Sequence, residues 1–139
     1  MSIESEIMTR LQNHAGTAAL VGSGAAARIY PMVAPDGAAW PFVVYRLIGS
    51  DSGTEMLGAN GVGDRLYQFE CVDENKLSVV NLAEQIRIAM NGWRDTSTNI
   101  RDARVTGVAD INLNPIGGKD RPAFERIIDV TFSVFEATS

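Results

Sequence analysis

Two stretches in the last third of the chain alternate apolar and polar residues with period two. In 124–134, Phe124, Ile128, Val130, Phe132 and Val134 oppose Glu125, Asp129, Thr131 and Ser133, and in 104–113, Val105, Ala109, Ile111 and Leu113 alternate with polar neighbours. Gly117-Gly118 opens a turn between them, so the two read as antiparallel neighbours with one face wet and one face buried. A sheet of this kind needs a covering layer, and the rest of the chain has to supply it.

Two helical patterns are available for that layer. Ile3, Ile7, Met8 and Leu11 form a stripe over 2–13, with Ser2 as a cap, Glu4 and Glu6 in the first turns and Arg10 in the last. Gly16 breaks this helix, and 17–21 can add one further turn. A second helix, about 74–90, places Val79, Leu82, Ala83, Ile86 and Met90 on one face, with Asp73 or Asn75 as its cap and Asn91-Gly92 as a left-handed stop. Between the helices, 28–31 reads as a short extended piece, 42–48 as an apolar and aromatic strand, and 66–72 as a strand with Tyr67, Phe69 and Cys71 against Gln68 and Glu70. Residues 22–27, 52–63 and 93–99 read as loops. Strands thus follow one another through turns instead of alternating with helices. The expected fold is α+β, an antiparallel four- to five-stranded sheet with two helices packed on one face, in a single domain over 1–139.

Charge and rare residues narrow the function classes. With 12 Lys plus Arg against 17 Asp plus Glu, the net charge of -5 argues against affinity built on neutralising phosphates. One cysteine, Cys71, excludes an internal disulfide framework, and one histidine, His14, excludes a site needing two imidazoles. Glu4 and Glu6 stand where a secretory leader needs a basic start, and no apolar run approaches the roughly 18 residues of a membrane span. The expectation is a soluble protein made in the cytoplasm.

Each candidate for chemistry has a plainer explanation. Residues 22–27 match GxGxxA, with Asp51 downstream, but a helical turn precedes the glycines and Pro31 arrives before a helix can form, which is the wrong setting for a dinucleotide fingerprint. Gly58, Gly61 and Gly63 lack the Lys-Ser/Thr of a phosphate loop. Cys71 with His14 is the one conceivable thiol and base pair, yet Cys71 shares a strand face with Tyr67 and Phe69 and reads as core. Asp73 and Glu74 open a helix, where negative charge is stabilising, and Asp102, Asp110, Asp120 and Asp129 are scattered. No catalytic residue, cofactor or metal ligand is assigned. Arg101, Arg104, Lys119, Arg121 and Arg126 are interleaved with acids and read as a solvated face, with at most weak, transient contact with DNA. Trp40 and Trp93, both beside turns, are core lids or interface anchors.

Taken in order, the segments of the chain resemble the tail-completion, or tail-terminator, proteins of long-tailed bacteriophages and prophages. The resemblance spans nearly the whole sequence. It rests on an N-terminal helix ending in small residues before Arg28-Ile29-Tyr30-Pro31, on Pro35, on Trp40-Pro41-Phe42-Val43-Val44-Tyr45-Arg46 and on Tyr67-Gln68-Phe69-Glu70-Cys71. It continues through the helix end Ile86-Arg87-Ile88-Ala89-Met90-Asn91-Gly92-Trp93-Arg94 and the last strand, 126–134. The glycine-rich stretch 52–63 departs from the pattern.

The resemblance implies a non-enzymatic virion protein, assembled in the bacterial host cytoplasm, that caps the head-proximal end of the tail tube as a ring, typically of six copies. Such a ring ends tail polymerisation and presents a surface for head joining. Its partners would be further copies of itself, the major tail tube protein and the head-neck connector proteins, with no membrane. Met56, Leu57 and Val62 in the glycine-rich stretch, with Trp40 and Trp93, are the candidate contacts with a neighbouring subunit or the tube. The alternatives are a head-closure or neck connector protein and, from another class, a small ligand-binding domain or enzyme.

Overall fold

The computed structural model describes residues 3–22, 27–35, 37–51, 62–94, 100–113 and 123–135. They form α1 (Ile3–Asn13), α2 (Ala15–Val21), β1 (Ile29–Pro31), β2 (Phe42–Asp51), β3 (Val62–Asp73), α3 (Lys76–Met90), β4 (Ile100–Leu113) and β5 (Ala123–Phe135). One sheet contains all five strands in the order β1-β2-β3-β5-β4. The α+β class and the five strands are as expected.

Two details of that expectation change. The sheet is mixed, because β1 runs parallel to β2, with Ile29 opposite Val43 and Pro31 opposite Tyr45. The chain between them, punctuated by Pro35 and Pro41, carries β2 back to the end where β1 began, which a tight hairpin cannot do. There is also a third helix, α2. Gly16 is interior to it, where a Cβ would fall on the side chain of Gln85 in α3. The glycine that reads as a breaker is instead the point of closest approach between two helices.

The central pairs are long and antiparallel. β3 pairs with β5 from Val62 opposite Phe135 to Asp73 opposite Phe124, and β2 pairs with β3 from Phe42 opposite Val72 to Asp51 opposite Asp64. β4 covers the far side of β5 with register shifts at Ile100/Asp102 and Val105/Gly107. Each shift inserts a residue and turns the following side chains to the other face. The strand therefore begins earlier than the alternation of 104–113 predicts. Ala103 and Val105 face the core, whereas Ala109 and Ile111, expected on the face of Val105, lie opposite Ile127 and Glu125 on the other side.

All three helices share a core with one face of this sheet. Ile7 and Leu11 of α1, Val21 of α2 and Val79, Leu82, Ile86 and Met90 of α3 pack with Tyr45, Phe69, Cys71, Ile128, Val130, Phe132 and Val134. α3 is fixed at its start by Asn75, whose side chain accepts from the backbone N–H of Leu77 at 2.9 Å and Ser78 at 3.3 Å. At its end Gly92 takes a φ of 81°, the left-handed stop expected there. Asn91 and Gly92 then turn onto the outer edge of β4, where Asn91 Oδ1 accepts from Val105 N at 3.1 Å and Gly92 N donates to Ala103 O at 2.7 Å. Half of an otherwise open strand edge is capped in this way.

Candidate functional site

The residues singled out by the sequence are dispersed. Trp93 is buried, edge-on to Phe132 at 6.3 Å, with the Arg10 guanidinium 4.8 Å from its ring centroid and Arg10 Nε donating to Ala89 O at 2.6 Å. It ties α1 to the end of α3 from inside the core. Trp40 is half-buried before the start of β2. The neighbouring Pro41 carbonyl accepts from Arg28 Nε at 2.9 Å, while Arg28 Nη2 reaches Leu20 O at 2.9 Å, so one side chain holds the entrance of β2 against α2. Val62 is the first residue of β3 and not part of a loop. Met56 and Leu57 lie outside the described residues, as do Ser2 and the centre of the GxGxxA match.

No nucleophile is assembled. Cys71 is fully buried, and burial first, with Glu125 adding to it, pushes its thiol well above the ordinary range. His14 precedes α2 and faces Gln85 Oε1 at 3.4 Å. Gly22 follows a helix and leads to β1, the reverse of the strand-to-helix order that a dinucleotide site uses. Among the described residues, no group of three or more His, Cys, Asp or Glu side chains is placed to hold a metal ion, and no helix is long and apolar enough to cross a membrane.

The sheet face turned away from the helices carries a polar ladder that the sequence did not single out. Arg46 Nη2 donates to Glu70 Oε1 at 2.7 Å, Gln68 Nε2 to Asp129 Oδ1 at 3.4 Å, and Ser133 Oγ to Asp64 Oδ1 at 2.9 Å. Glu125 sits beside Glu70 with only 7% of its surface exposed. Burial first, then the charge of Glu70 and a hydrogen bond with it, push the Glu125 carboxyl up to about 7, against the opposing charge of Arg46. The two carboxylates are diagonal neighbours, since Val72 faces Glu125 and Glu70 faces Ile127. Only the strand register reveals that pairing, because in the sequence each is one more polar residue on an alternating strand.

The basic residues are engaged. Arg126 grips Asp110 with two hydrogen bonds, at 2.6 and 3.0 Å, and Lys76 joins at 3.0 Å, so the Asp110 carboxyl is held well below its ordinary range. Arg94 and Arg104 both approach Asp102 at 3.7 Å. This is a solvated face of paired charges.

What stands exposed is apolar and sits at the margins of the sheet. Of the eight large apolar side chains exposed among the described residues, Met32, Val33, Leu47 and Ile48 lie beside β2, and Val108 and Ile111 lie on β4; Leu77 and Ile88 of α3 complete the set. An arrangement with apolar sheet margins and no converging reactive groups is suited to joining protein to protein.

No family model matches the chain, and no curated protein matches it. Among solved structures, a chain from the virion of a native gene transfer agent particle is similar to it, with a TM-score of 0.70, over 97% of this chain and 96% of that one, at 13% sequence identity. The likeness is one of fold, and it runs almost end to end in both chains.

Proposed function

We propose that the protein is a structural component of a phage-like virion that forms a ring on the head-proximal end of the tail tube, ends tail polymerisation and offers the surface to which the head is joined. The observation that carries this reading is the near-complete structural likeness to a chain of a gene transfer agent virion, with matching extents in both proteins. The absence of an assembled reactive site among the described residues is compatible with it, and so are the apolar side chains at the two sheet margins. Its partners are then other copies of the chain, six in the ring, the tail tube protein and the connector proteins of the neck. We assign contacts with a neighbour or the tube to the 52–63 segment, through Met56, Leu57 and Val62, and to Trp40, while Trp93 serves the core. Any contact with DNA passing the ring is weak, because the net charge is -5.

Silencing the gene in particle-producing cells and imaging the particles by electron microscopy tests this reading. Unattached tails of abnormal, variable length beside filled heads are the expected result. Tails of normal length that fail to join heads would move the protein to the neck, and unchanged particles would remove it from the virion.

A further inference from the structure

We infer that adjacent copies of this chain join edge to edge, the C-terminal half of β4 in one copy pairing antiparallel with the free half of β2 in the next, with Val108 opposite Leu47. The inference deepens the ring reading and rests on it. β1 covers β2 only from Val43 to Tyr45 and ends in a turn at Met32, whose φ is 67° and whose N–H donates to Tyr45 O. Beyond Tyr45, β2 is paired on one side only, with β3. At the other margin Asn91 and Gly92 cap β4 at Ala103 and Val105, and no described strand pairs with the outer edge from Val108 onward. Each margin therefore has one open half, and six of the eight exposed large apolar side chains stand there.

The two halves match in direction, backbone orientation and face. β2 and β4 run in opposite directions within the sheet, so copies related by a rotation about an axis along the strands bring β4 and the next β2 together antiparallel. On β2, Val43 donates outward to Arg28 O and Tyr45 accepts from Met32, which makes Leu47 the next residue with outward backbone groups. On β4, Val105 opposite Val130 turns its N–H outward, and Val108, opposite Ile128, repeats that orientation after the register shift. Leu47, opposite Tyr67, and Val108 both lie on the helix-bearing face. In this register Ile111 arrives over Met32 and Val33, where β1 ends, and Arg104 comes level with Asp51 and Asp64, opposite in charge. The two surfaces differ, so the contact is heterologous and repeats from copy to copy until a ring closes.

The test is a disulfide between the matched positions in the full chain, Leu47→Cys with Val108→Cys. Residues exchanging both hydrogen bonds across an antiparallel pair have Cα atoms about 5.5 Å apart, within disulfide range. Within one copy the two positions are separated by three strand spacings, about 14 Å, so the bond can form only between copies. The native Cys71 is buried and does not compete. Under mild oxidation of particle-producing extracts and of the concentrated pure chain, the double variant should give a covalent ladder ending at the ring number, and each single variant should give none. Circular dichroism checks that the variants are folded, since both positions are exposed. Oligomers by native mass spectrometry without the cross-link would overturn the edge junction and leave the ring standing. A covalent dimer from Val108→Cys alone would show β4 pairing with itself and overturn it too. A chain that stays single in both settings removes junction and ring together, whereas a full ladder from a protein missing from particles keeps the junction and removes the virion role.

Discussion

Glu125 is the residue whose surroundings set it furthest from its reading in the sequence. It alternates with apolar residues and reads as a wet-face side chain, yet it is buried beside Glu70 and held up to about 7. Its ordinary value is 4.5, so the native state binds the proton more tightly than the unfolded chain. The stability this contributes is complete below about pH 4.5 and is lost as the pH rises through 7. Glu125→Gln removes the titration while keeping the shape. Urea unfolding of wild type and variant should differ little at pH 5, with the variant ahead by roughly 1 to 3 kcal/mol at pH 8. Parallel stability curves across that range would show that Glu125 does not titrate in the native state. The same limit of legibility holds for Trp93, whose burial depends on Arg10 and Phe132 arriving from elements far away in the sequence. Cys71, by contrast, was readable as core, because its flanking period-two pattern is local.

At the scale of elements, what could be read was whatever a local pattern determines. α3 has its apolar face, its Asn75 cap and its Gly92 stop within one stretch of sequence, and all three are where the pattern puts them. Asn75→Ala leaves two N–H groups of the first turn without their side-chain acceptor, and should cost about 1 kcal/mol by denaturant unfolding, with Asn75→Asp keeping most of it. Equal stability of the alanine variant would mean that water replaces the cap fully. Bulges are where the reading failed. Thr106 lies at the shift in β4 and reverses the faces of Ala109 and Ile111, and Ile48 lies at the shift in β2, so a strict period-two count assigns the wrong face beyond each. The short parallel β1 and the helix around Gly16 were obscure for a related reason, since both are fixed by contacts with distant elements, β2 and Gln85.

For the whole molecule, strand-after-strand order was enough to give an α+β sheet with helices on one face, because few other layers bury a half-apolar antiparallel sheet. Function was less legible, since a protein that works by joining copies of itself needs no constellation of reactive residues; its working parts are edges and loops, and these become visible only once the sheet is closed. The segment between β2 and β3 is the part to remove. Asp51 and Asp64 are already a register pair, so β2 and β3 hold each other without it, and a two-residue Asn-Gly turn can join strands at such a point. Replacing 53–61 with a tight turn shortens a closed loop, which lowers its closure entropy slightly and should leave unfolding stability within about 1 kcal/mol of wild type. If the segment reaches a neighbouring subunit or the tube, the folded variant should fail to restore normal tail length in cells lacking the native gene. Normal tails from a folded variant would exclude the segment from assembly and leave the sheet margins as the surfaces that join the copies.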